Sequence, residues 1–142
     1  MNLLKIVGSP VVLIIIYLLL IIEGDNFGGF FLLYLVLALP HGAPYALLAA
    51  LGIACLIVGF NLNMTKRKFI KPILYLFGYC LMVGSLIMFF GIGNKWATFE
   101  LTVPLFTFIL FAFCSIIYLL YAFSLLIDTR KEIDKKINPI ST

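Results

Sequence analysis

The sequence predicts an all-α integral membrane protein with four transmembrane helices and both termini in the cytoplasm. Of its 142 residues, 64% are hydrophobic and only 11% are charged, and the mean hydropathy is +1.20. Soluble domains are about half apolar and about one quarter charged, so lipid is the solvent that suits this composition. The apolar residues also form long runs. If each run crosses the membrane, nine of the ten lysines and arginines lie on the same side of it.

The first apolar run, residues 3–22, is the first predicted span. A helix needs about 20 residues to cross a hydrocarbon core of about 30 Å. The run reaches that length if Lys5 extends its ammonium group back to the interface. The polar segment that follows, residues 23–26, carries no small-x-small cleavage pattern, so we expect an uncleaved signal anchor.

Residues 27–39 are predicted to form an interfacial or re-entrant half-helix between spans one and two. Their apolar part would be only about 15 Å long as a helix. Two prolines and a glycine at residues 40–44 then disfavour continuous helix. The second span follows at residues 43–60. The alternative is one long, kinked and tilted helix over residues 30–60, which leaves the topology unchanged.

The third and fourth spans are predicted at residues 72–92 and 101–127. The fourth would be about 40 Å long as a helix, so it must tilt or project beyond the lipid. A polar cytoplasmic tail, residues 128–142, follows it. No internal repeat is visible, and residues 1–142 are therefore treated as a single polytopic membrane domain.

The orientation follows from the distribution of basic residues. Of the ten lysines and arginines, Lys95 alone falls on the other side of the membrane from the rest. The positive-inside rule then places the other nine in the cytoplasm, and we expect a plasma membrane of the bacterial inner-membrane type. The nine are Lys5, Lys66, Arg67, Lys68, Lys71, Arg130, Lys131, Lys135 and Lys136.

Small residues suggest how the helices pack. Ala46, Ala50 and Ala54 recur every four residues in span two, and Gly84 and Gly91 lie in span three. Faces of this kind let helix backbones approach closely in lipid, where apolar burial gives no drive for association. The pattern predicts packing within one chain, or an interface with a second copy or another membrane subunit.

A possible functional cluster is predicted on the outer face. His41 is the only histidine, and the topology places Glu23, Asp25 and Glu100 on the same side. Such residues could bind a divalent metal or relay a proton. The simpler interpretation is that His41 closes an interfacial turn. Because the spacing matches no metal or haem motif, no metal and no cofactor is expected.

A basic loop is predicted on the cytoplasmic face, formed by Lys66, Arg67, Lys68 and Lys71. Its first role is to fix the topology. Each such charge also contributes about 1 kcal/mol near anionic lipid, which makes anionic lipid a candidate partner. Nucleic acid is not expected, because the basic residues flank apolar runs and do not line an exposed groove.

No catalytic residue is predicted. The spans carry no ionisable side chain at mid-membrane depth, and no nucleophile beside a base or phosphate-binding loop is recognisable. We therefore expect a non-catalytic accessory or assembly subunit of a larger membrane complex, or a homo-oligomer. One alternative is a small channel, transporter or membrane-permeabilising pore. Another is an outer-face enzyme, dependent on metal or lipid, that uses His41 and its neighbouring carboxylates.

Overall fold

The computed structural model describes residues 6–23, 28–62, 70–91 and 102–137, with all of their side chains except those of residues 23 and 132–137. This part of the chain is mostly helical, as the composition predicted. In chain order its elements are α1 (Pro10–Leu18), β1 (Ile21–Glu23), β2 (Gly28–Phe30), α2 (Phe31–Ala38), a 3-10 turn (Leu39–His41), α3 (Pro44–Asn61), α4 (Ile70–Gly91) and α5 (Thr102–Ile137).

Three of the described helices are long and apolar enough to cross a membrane. They are α3 with 18 residues, α4 with 22, and a 30-residue part of α5, Thr102–Lys131. At 1.5 Å per residue, each is close to or longer than a hydrocarbon core of about 30 Å. The three helices coincide with the predicted spans two, three and four, so each of these predicted spans is a helix of sufficient length and hydropathy to cross a membrane.

The first predicted span is not one continuous helix. Within the described part of residues 3–22, α1 has nine residues, about 14 Å, which is too short to cross by itself. It begins where Ser9 caps the first turn and Pro10 takes the first helical position. It ends at Leu18, and Ile21 begins the extended strand β1.

A two-stranded antiparallel hairpin joins α1 to α2. Ile22 of β1 pairs with Gly29 of β2, and the Phe31 N–H donates to the Leu20 carbonyl at 2.7 Å. The half-helix predicted over residues 27–39 therefore begins later, because the described residues at its start extend the hairpin. The shorter apolar helix itself is confirmed.

The chain breaks between α2 and α3, as its prolines and glycine predicted. The 3-10 turn ends at Gly42, whose φ of 67° lies in the left-handed region that glycine adopts without strain. Pro44 then opens α3 at its first helical position. The alternative of one long helix over residues 30–60 is therefore wrong.

Helices α3 and α4 form a tightly packed antiparallel pair. The Ser85 hydroxyl near one end of α4 donates to the Tyr45 carbonyl near the start of α3, at 2.7 Å. At the other end, a Cβ on Gly59 would lie 2.9 Å from the Tyr75 ring. Since residue numbers rise along one helix as they fall along the other, the two run in opposite directions.

The closest approach of these two helices is at Gly52 and Gly78. A Cβ on Gly52 would lie 2.8 Å from the Gly78 carbonyl oxygen, and a Cβ on Gly78 would lie 2.9 Å from the Gly52 carbonyl oxygen. Real side chains do not tolerate such contacts with backbone atoms. Glycine is therefore needed on both sides of the crossing.

Helix α5 packs against α1 and β1 as well as against α4. It runs antiparallel to α1, because Tyr17 stacks near Phe111 at 5.9 Å while Ile21, further along the chain, reaches back to Thr107. The Ile21 N–H donates to the Thr107 hydroxyl at 3.2 Å, and that hydroxyl donates to the Pro104 carbonyl at 2.8 Å. Thr107 thus satisfies a strand amide that β2 does not pair.

This contact makes a first prediction. Thr107→Val keeps the shape of the side chain but leaves the Ile21 N–H without its acceptor, which should lower the free energy of unfolding by about 1–2 kcal/mol. The Ile21 amide should also exchange its hydrogen faster than in the wild type, as measured by hydrogen exchange in detergent. Thr107→Ser keeps the hydroxyl and should restore slow exchange. Equal exchange in the valine and serine variants would contradict the assignment.

Candidate functional site

An aromatic cluster fills the interior where the helices meet. Its centre is Phe89 of α4, which is 2% exposed. The Phe89 ring lies 5.1 Å from Phe31, 5.5 Å from Tyr34, 5.2 Å from Tyr45 and 5.5 Å from Phe90, each measured between centroids. These edge-to-face contacts join α2, α3 and α4 into one packing core.

The cluster continues into α1 and α5. Phe90 meets Phe108 at 5.2 Å, and Phe31 meets Tyr17 at 5.2 Å. Tyr17 in turn lies 5.9 Å from Phe111. One connected set of rings therefore links all five helices.

A second aromatic group holds α4 to α5 nearer the other end of these helices. The Tyr118 hydroxyl donates to the Tyr75 carbonyl at 3.0 Å, and the Tyr118 ring lies 6.1 Å from Tyr75 and 5.8 Å from Tyr79. Tyr118 is fully buried. In lipid a hydroxyl of this kind must find a partner, and here it finds a backbone carbonyl of the neighbouring helix.

His41 closes the turn between α2 and α3. The side chain is exposed, and its Nδ1 lies 2.9 Å from the Leu37 carbonyl oxygen, to which an Nδ1–H can donate. This geometry matches the simpler of the two interpretations. The Glu23 side chain and the residues Asp25 and Glu100 lie outside the described part of the chain, so the predicted outer-face cluster stays a prediction.

Among the residues that the structure describes, no group of three or more histidine, cysteine, aspartate or glutamate side chains lies close enough to hold an ion. The cysteines are not paired with one another.

The small residues singled out in the sequence do not share one environment. Ala46 is fully buried, Ala50 is half-buried and Ala54 is exposed, and all three line the space between α2 and α3. A Cβ added at Gly84 or Gly91 would meet nothing within 4 Å.

The actual seam follows a different spacing, which the sequence analysis missed. Its α3 members are Ala49, Gly52, Leu56 and Gly59, all buried. They are separated by three, four and three residues, the heptad-like spacing of two helices packed along their length. Buried residues of α4 repeat it at Tyr75, Gly78, Met82, Ser85 and Phe89. A search for spacings of three and four together would have found both helices.

The basic loop is described only at Lys71. Its Nζ lies 5.8 Å from the centroid of the Tyr75 ring, a cation–π distance. Lys66, Arg67 and Lys68 lie outside the described residues. On α5, Arg130 and Lys131 are exposed, and the antiparallel packing puts them at the same end of the bundle as Lys71.

Two lateral openings lie between the helices. The α2–α3 groove has a volume of about 320 Å³, and the α4–α5 fissure has about 530 Å³. The α2–α3 groove is lined by residues that include Leu32, Leu35, Val36, Ala46, Ala50 and Ala54. The α4–α5 fissure is lined by residues that include Tyr79, Val83, Leu86, Phe108, Ala112 and Ser115.

The outer faces of the bundle are apolar on every helix. Leu37 is 71% exposed, and Ile87, Phe106 and Leu120 are each more than 60% exposed. A soluble domain would present such faces to water at a large cost, whereas a bilayer accommodates them. Together with the three helices that are long and apolar enough to span, they fit the class of small multi-pass membrane proteins.

Comparison with known proteins adds no relative to this class. No family model, no curated protein and no solved structure matches the chain.

Proposed function

We propose that this chain is a non-catalytic accessory or assembly subunit of a larger membrane complex, or a homo-oligomer. The observation that supports it is the open α2–α3 groove. Ala50 and Ala54 face this groove with little side-chain bulk, and no described helix of the chain fills it. In membranes, small residues on a lateral face are typical of contact with another helix.

The interior supports a packing role as well. The hydroxyls of Ser85 and Tyr118 each donate to a backbone carbonyl of a neighbouring helix, and the Thr107 hydroxyl accepts the Ile21 N–H of β1. These bonds fix one helix or strand against another, which is what a scaffold requires.

We further propose four crossings, with both termini in the cytoplasm of a bacterial-type cell. The first crossing would consist of α1 and β1 together, about 24 Å of helix and strand that run antiparallel to α5. The contacts from Tyr17 to Phe111 and from Ile21 to Thr107 support this path. The nine-to-one distribution of lysine and arginine supports the orientation.

Purification tests the proposal. Wild-type protein extracted from its native membrane in mild detergent should have a protein mass clearly above the 15.9 kDa of one chain, measured by light scattering during size-exclusion chromatography. Ala54→Leu puts a larger side chain into the α2–α3 groove. It should lower the fraction in complex about tenfold, because overpacking an interface costs about 1–3 kcal/mol.

Ala112→Leu is the matched control, since Ala112 is also exposed but lines the α4–α5 fissure instead. It should leave the complex intact. A wild type that elutes as a lone chain would refute the proposal. Equal loss of complex in both variants would remove the α2–α3 groove as the contact.

A further inference from the structure

We propose that the α4–α5 fissure binds one acyl chain of an anionic phospholipid whose headgroup contacts Lys71. This inference rests on the membrane placement given above, but not on a protein partner. It adds a specific lipid site to a surface for which the sequence predicted only a general affinity for anionic lipid.

The dimensions of the fissure fit a lipid tail. Its α5 wall runs from Phe108 to Leu119, about 17 Å along the helix, or about half of a hydrocarbon core. The lining residues of the fissure are apolar apart from Tyr79 and Ser115. An acyl chain is apolar and flexible, so it can follow such a surface.

The two helices are held together at both ends of the fissure and apart in its middle. Phe90 contacts Phe108 at one end, and Tyr118 bonds to the Tyr75 carbonyl at the other. Between them, Ala112 is too small to close the space. An unfilled gap would deprive its walls of dispersion contacts, and in a bilayer the molecules available to fill it are acyl chains.

Charge points to an anionic lipid. Lys71, Tyr75 and Tyr79 are spaced by four residues on α4, so Lys71 lies on the ridge that leads to the Tyr79 wall of the fissure. Its Nζ is held over the Tyr75 ring. The first turn of α4 carries no acidic residue, and the positive end of the helix dipole adds to the lysine charge there. A phosphate would compensate both.

Electron paramagnetic resonance with spin-labelled lipid tests the site. Purified protein is placed in phosphatidylcholine vesicles that contain a trace of either phosphatidylglycerol or phosphatidylcholine labelled on the acyl chain. We expect the immobilised component to favour phosphatidylglycerol about fivefold, which corresponds to about 1 kcal/mol for one lysine. Lys71→Gln should lower that ratio.

Filling the fissure tests the position of the tail. Ala112→Leu should reduce the immobilised component for both lipids, whereas Ala54→Leu, in the α2–α3 groove, should leave it unchanged. Equal binding of the two lipids by the wild type, or an unchanged ratio in Lys71→Gln, would overturn the proposal. An immobilised component that Ala112→Leu does not reduce would also overturn it.

A second copy in the fissure is the remaining outcome. It would appear as a mass of two chains that Ala112→Leu reduces to one, and it would overturn the lipid assignment. Because the vesicles contain only the purified chain, loss of the proposed partner complex would not affect these measurements. Circular dichroism of each variant checks that its helix content matches the wild type.

Discussion

Gly52→Ala should destabilise the protein, although alanine is the better helix former. In an exposed helix the exchange would stabilise by about 1 kcal/mol. Here the new Cβ would lie 2.8 Å from the Gly78 carbonyl oxygen, 2.9 Å from the Met82 Cγ and 3.1 Å from the Met82 nitrogen. Two of these three atoms belong to the backbone, so α3 and α4 must move apart. We expect the free energy of unfolding to fall by about 2 kcal/mol.

Gly84→Ala is the matched control for this prediction. It introduces the same methyl group into α4, but at a position with nothing within 4 Å. It should be neutral or stabilise by up to about 1 kcal/mol. Unfolding in mixed micelles of mild detergent and dodecyl sulfate, followed by circular dichroism, compares the two. Gly52→Ala should lower the free energy of unfolding and Gly84→Ala should not. If both variants lowered it equally, the close crossing of α3 and α4 would be contradicted.

The membrane class could be predicted from the sequence because it depends on run lengths and composition alone. Residues 43–60, 72–92 and 101–127 are long enough to span, and helices occur there. The helix pairing could not be predicted in the same way. A spacing of four directed attention to Ala50 and Ala54, whereas the contact with α4 follows Ala49, Gly52 and Leu56. Both patterns exist in one helix, and only the position of the partner decides which is buried.

The first predicted span shows a second limit. The run up to Ile22 is apolar enough for a membrane-spanning helix. Its residues are similar in hydropathy, so hydropathy does not mark where the helix ends. What turns the chain into a strand is tertiary: Ile22 is fully buried, and Thr107 accepts the Ile21 N–H. That acceptor lies 86 residues away in sequence, so no local pattern could indicate it.

The outer-face cluster illustrates a third case. His41 could be read as a ligand or as the end of a turn, and its bond to the Leu37 carbonyl supports the turn. The sequence could not choose between them, because both roles need a polar ring beside a proline and a glycine.

Phe89→Ala should be the most damaging single change among the described aromatic residues. The Phe89 ring touches Phe31, Tyr34, Tyr45 and Phe90. Its removal leaves a cavity where α2, α3 and α4 meet. Moving an apolar side chain from lipid into the protein interior contributes little free energy to helix association. The stability lost in Phe89→Ala therefore comes from the lost packing contacts themselves. A buried Phe→Ala change costs about 3–5 kcal/mol in soluble cores, and we expect about 3 kcal/mol here.

Phe113→Ala provides the comparison that isolates packing from hydrophobicity. Phe113 is 60% exposed on α5, where lipid replaces the lost ring at almost no cost, so its effect should stay within about 0.5 kcal/mol. Thermal unfolding in the same detergent, followed by the near-ultraviolet signal of the aromatic rings, measures both. If the two variants lost equal stability, apolar residues would act here only through their affinity for lipid. The ring contacts of Phe89 would then not hold the helices together.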